Sequence, residues 1–105
     1  MDMAERARQR TEVVDGLRRW AQGAPSDQAA VELLARCFRG RYIRPGVIWV
    51  RPCARPGWYW LDEDALAAYA QTVTGEEHRV LALAAVLLGA DPEARPHIDS
   101  GRAVA

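Results

Sequence analysis

The chain contains no lysine; all 14 of its basic residues are arginine. That excludes a glycine-rich phosphate loop of the Gly-Lys-Ser/Thr kind. Histidine is nearly as scarce, with His78 and His97 alone, and cysteine is limited to Cys37 and Cys53. No pair among these four has the spacing of metal ligands, and Glu76-Glu77-His78 lacks the second histidine that a metalloprotease helix carries. Two cysteines make no disulfide framework. The longest apolar run, Val80 to Leu88, is nine residues, half of the ~18 needed to cross a bilayer. The opening MDMAERARQR has no apolar core of the kind a signal peptide carries. Together these absences predict a reduced, cytoplasmic protein without metal or cofactor, neither an enzyme nor a membrane protein.

One further absence is local. Between Arg36 and Leu61 there is no acidic residue, while Arg36, Arg39, Arg41, Arg44, Arg51 and Arg55 give that stretch a charge of +6. Residues 1–35 are near balance, with five arginines against six acids, and residues 62–105 carry eight acids against three arginines, hence −5. The total is 14 against 14, so nothing pulls the whole chain toward nucleic acid or membrane. Arginine in place of lysine, with abundant alanine, is what high-GC coding produces, so the distribution and not the count is informative. A basic middle marks either a binding face or an internal partner for the acidic end.

What the chain does contain is periodicity. At 105 residues it has the length of one domain with one modest core. Val13, Val14, Leu17, Trp20 and Ala21 form one apolar stripe of a helix over 4–22, whose first turns, with Arg6, Arg8 and Arg10, have little to bury. Gly23 and Pro25 break the chain, and Ser26 or Asp27 is positioned to cap a second helix over 27–38. Its stripe is Ala30, Leu33, Leu34, Cys37 and Phe38, which makes Cys37 a small core residue. A third helix over 63–73 begins after Asp62 and buries Leu66, Tyr69, Ala70 and Val73. Thr74 and Glu77 have the spacing of a capping box for a fourth helix over 75–88, apolar almost all round. The expected fold is therefore α+β, helix–helix–β-hairpin–helix–helix, over residues 1–89, followed by a loosely ordered tail, 90–105.

Between the helix pairs, Val47-Ile48-Trp49-Val50 and Trp58-Tyr59-Trp60-Leu61 are rich in β-branched and aromatic residues and flank a turn containing two prolines and Gly57. Pairing Arg51 with Trp58 gives a hairpin with two faces: Ile48, Val50, Tyr59 and Leu61 for the core, and Trp49, Arg51, Trp58 and Trp60 opposite. The second face is either covered core or a binding site. Trp, Tyr and Arg are the residue types that dominate interface hot spots, and the same arginines and rings also suit phosphates and bases. The expected site is Arg39, Arg41, Arg44, Trp49, Arg51, Arg55, Trp58 and Trp60. Its first expected use is to dock a protein partner in a small regulatory module. The alternative is nucleic acid: two helices and then a hairpin tipped by an arginine resembles the order of a winged helix, which implies DNA or RNA binding through the second helix and the wing. Asp27 and Glu32, expected on the exposed side of that second helix, oppose it. A homodimer through helix 75–88, using Leu83, Val86 and Leu87, is the remaining expectation.

Overall fold

The computed structural model describes residues 2–90. The tail expected from residue 90 onward, with His97, lies outside the described residues beyond Ala90, which ends the last helix. The fold is α+β, in the order α1 (Met3–Trp20), α2 (Pro25–Arg36), β1 (Val50–Pro52), β2 (Tyr59–Leu61), α3 (Glu63–Ala70) and α4 (Gly75–Ala90).

Each helix buries one stripe, and side chains close the first turns of α1 and α3. Asp2 caps α1 by accepting the Glu5 N–H at 2.8 Å. The buried residues of α1 are Val13, Gly16, Leu17 and Trp20, all in its second half. From Met3 to Glu12 no side chain is buried, as the arginine-rich start implied. Helix α2 starts earlier than expected: Pro25, pre-set for the first helical position, follows Ala24, and neither Ser26 nor Asp27 is the cap. Asp27 is 2% exposed instead of solvent-facing. The helix also stops earlier, at Arg36, because Phe38 (φ 53°), Arg39 (φ 58°) and Gly40 (φ 72°) form a left-handed turn. Two of these three residues carry side chains, which disfavour that conformation.

The hairpin pairs Val50 with Leu61, Arg51 with Trp60 and Pro52 with Tyr59. This register is displaced by two residues from the expected pairing of Arg51 with Trp58. The cause is a shorter turn: the Cys53 N–H donates to the Trp58 carbonyl at 2.8 Å, leaving Ala54–Gly57 to reverse the chain, with Gly57 at φ 81°. A shift of two preserves which side chains share a face. It does not extend to Ile48 and Trp49, because the chain before Val50 is coiled, with Val47 N–H on the Arg44 carbonyl and Val50 N–H on the Val47 carbonyl. There the expected sides exchange: Trp49 is 2% exposed and Ile48 is 61% exposed.

Helix α1 lies against β2 and α2, and α4 lies against α2 and α3. The core runs between them through Leu17, Val31, Leu34, Ile43, Trp49, Leu61, Leu66, Leu81 and Leu88. Gly16 marks the closest approach of α1 to the hairpin. A Cβ there would sit 2.5 Å from the Gly57 carbonyl oxygen and 2.7 Å from Tyr59 Cδ1, so no larger residue fits this helix position without movement. No described helix is long and apolar enough to cross a membrane.

Candidate binding surface

The hairpin face is largely satisfied from within. Arg51 donates Nε and Nη2 to Asp62 Oδ2 at 3.3 and 3.1 Å, while Asp62 Oδ1 accepts the Ala65 N–H and caps α3. Trp58 is half-buried with two guanidinium groups against its ring, Arg55 at 4.8 Å and Arg19 at 5.9 Å from the ring centre. Arg19 also donates to the Gly57 carbonyl at 2.8 Å, tying the tip to α1. Trp60 is half-buried against the core. Trp49 is core outright: its indole N–H donates to the Tyr42 carbonyl, and its ring lies 5.0 Å from that of Tyr69. The expected assignment of Trp49 to a partner-binding face is therefore corrected. Its polar group is paired and its apolar surface covered before any partner arrives.

The next segment turns charge inward as well. Arg41 donates to Glu77 Oε2 at 2.8 Å and to the Tyr42 hydroxyl at 3.2 Å, and Tyr42 donates its own hydroxyl to the same carboxylate oxygen. The Tyr42 hydrogen bond, with the Arg41 charge behind it, holds Glu77 below the usual carboxylate range. Burial, reinforced by the bond to Glu77, pushes Tyr42 above the usual phenol value. Glu77 thus serves the hairpin approach, and not the capping box expected with Thr74. On α2 the expected exposed acid Glu32 is held by Arg18, Nε to Oε2 at 2.7 Å, with Arg36 on its other oxygen at 3.5 Å. Arg18 keeps this carboxylate below its ordinary range.

Of the expected site, Arg39 and Arg44 are left without an acidic partner among the described residues. Arg39 is exposed on a left-handed backbone. Arg44 stands at the corner between two surface grooves. One, of about 330 Å³, includes Val47, Ile48 and Tyr69. The other, of about 520 Å³, is lined by Arg6, Arg10 and Arg44 together with Met3, Ala7, Gln9 and Pro45. Arg6 and Arg10 were not expected in the site. Their i, i+4 spacing on a helix end with nothing to bury was the available signal, but only the chain path after α2 shows that Arg44 comes to meet them.

Apolar exposure follows the same geography. Among the described residues the large apolar side chains standing exposed are Met3 (84%), Ile48 (61%), Tyr69 (36%), Leu83 (50%) and Val86 (67%). The first three line the grooves that share Arg44. The last two lie on the outer stripe of α4, with Leu87 half-buried beside them.

His78 is half-buried with Nδ1 2.7 Å from the Ala70 carbonyl oxygen, and since a carbonyl only accepts, Nδ1 is the donor. Among the described residues no three His, Cys, Asp or Glu side chains gather as metal ligands do. No protein-family model matches the chain, and no curated protein or solved structure matches it.

Proposed function

We propose that this protein is a small non-enzymatic interaction module that docks a protein partner through the surface around Arg44. The carrying observation is the placement of Arg44 in both grooves, with Met3 on one side and Ile48 and Tyr69 on the other. Apolar side chains interleaved with unpaired arginines are what an interface core and its rim require. The neighbouring hairpin supports this surface in place of forming it: Arg51 is held by Asp62, while Arg55 and Trp58 stack on each other. A cytoplasmic setting accords with Cys37 and Cys53 forming no disulfide.

The test is site-specific photo-crosslinking in cells expressing the protein. A photo-reactive residue at Ile48 should give a discrete protein adduct that Arg44→Glu removes, whereas the same residue at Gln28, on the far exposed side of α2, should give none. Equal labelling from both positions, or none from Ile48, would end the proposal.

Nucleic acid is the second reading. It is favoured by one observation, that Arg6, Arg10, Arg39 and Arg44 have no acidic partners among the described residues. A winged-helix use of α2 is weakened because its exposed Arg36 and half-exposed Glu32 are engaged with each other. Retardation of a duplex whose affinity falls with salt by a slope near −0.9 per phosphate contacted would favour it. A homodimer through the α4 stripe is the further partner proposed, and it uses Leu83, Val86 and Leu87 and leaves the Arg44 surface open.

A further inference from the structure

Three arginines converge on one groove from two separate parts of the chain. Arg6 and Arg10 are one turn apart on α1, a rise of about 6 Å, and Arg44 faces them from the corner that follows the left-handed turn. None of the three meets an acidic partner among the described residues, and the acids of the first turn, Asp2 and Glu5, are not part of the groove wall. Beside the guanidinium groups the groove is lined by Met3, Ala7 and Pro45, with Gln9 the one neutral polar residue.

We infer that this groove is the acceptor for an acidic peptide segment of the partner, one that presents carboxylates to Arg6, Arg10 and Arg44 and seats one apolar side chain on Met3, Ala7 and Pro45. The inference rests on the protein-docking proposal above and names the chemistry of the docked segment. Guanidinium forks match carboxylates two hydrogen bonds at a time, which fixes direction as well as charge. A peptide suits the groove better than a nucleic-acid backbone for a physical reason. No aromatic ring lines it, so bases would find nothing to stack on, whereas an apolar patch beside cations is wasted on a phosphate chain. The occupant is therefore acidic at intervals and apolar at one point.

Fluorescence anisotropy with a labelled twelve-residue peptide of Asp and Glu around one central Leu tests this on the full chain. Binding should weaken at least tenfold in Arg6→Glu and in Arg10→Glu, and also when the peptide leucine is replaced by serine. Gln28→Ala, on the exposed side of α2 and outside both grooves, should leave it unchanged. Arg6→Gln and Arg10→Gln, checked by circular dichroism, guard against a helix effect of the charge reversals and should each weaken binding in the same direction. No binding, binding indifferent to Arg6 and Arg10, or equal displacement by a dT12 oligonucleotide overturns the inference. If the peptide fails while the Ile48 crosslink persists, the acidic-segment inference falls and the docking proposal stands. If the crosslink is lost while the peptide still binds, the docking proposal falls and takes with it the assignment of the acidic segment to a partner.

Discussion

The indole nitrogen of Trp49 donates to the backbone carbonyl of Tyr42 at 2.8 Å, joining the approach to the hairpin to the segment that leaves α2. Around it lie Tyr42 and Tyr69, with ring centres 6.0 and 5.0 Å away. Trp49→Ala should therefore cost about 3–5 kcal/mol of stability, as large aromatic deletions in cores do. Trp49→Phe should cost about 1–3 kcal/mol, chiefly by leaving the Tyr42 carbonyl unpaired. Denaturant unfolding measures both. A change under about 0.5 kcal/mol for the alanine variant, the range of an ordinary surface substitution, would show that this ring is not core.

Gly16→Ala offers two opposed expectations. Helix propensity alone favours alanine by about 1 kcal/mol. The added methyl, however, would lie 2.5 Å from the Gly57 carbonyl oxygen, which is backbone and has little room to yield. The clash should win, with a net loss of about 1–3 kcal/mol. A thermal melt that rises instead would mean that α1 is not seated on the hairpin as described.

The Arg41–Tyr42–Glu77 cluster has a pH signature. Glu77 has a folded pKa below its unfolded value, which is about 4.3. Its contribution is fully present above that value and is lost as pH falls through the folded pKa, because the unfolded chain takes up the proton first. Glu32, held by Arg18, has the same sign. Stability should decline below about pH 5, and Glu77→Gln should make that decline shallower without abolishing it. An unchanged acid limb in the variant would remove Glu77 from the account.

Leu83 and Val86 stand exposed on α4 at 50% and 67%, one helical turn apart. The proposed homodimer predicts a concentration-dependent mass in light scattering that Val86→Glu returns to the monomer. Monomeric mass at the highest concentration reached would dismiss this surface as an interface.

Much of the fold was legible because it depends on short-range pattern. The stripe from Val13 to Trp20, Pro25 with Gly23 before it, and the β-rich runs on either side of Gly57 each act within a few residues. The hairpin faces survived a register error because side-chain alternation has a period of two. What could not be read was anything set by the coil from Gly40 to Trp49. Nothing local announces that Phe38 and Arg39 adopt positive φ, and that turn decides the rest. It directs Arg44 toward α1, Ile48 outward and Trp49 inward. Glu77 misled for a similar reason, since a capping-box spacing does not reveal that Tyr42 lies close enough to claim the carboxylate.

From Met3 to Glu12, α1 buries no side chain, and a helix segment of that length is barely self-supporting in water. Its backbone amides should accordingly exchange with solvent well before those from Val13 onward. Since Arg6 and Arg10 stand on this segment, one wall of the groove is weakly held by the rest of the described fold. A ligand bridging it to Arg44 must first hold that wall in place, so part of its intrinsic affinity is consumed in ordering the helix end. Occupancy would then be registered as slowed exchange over residues 6–12, while the hairpin amides keep their rates.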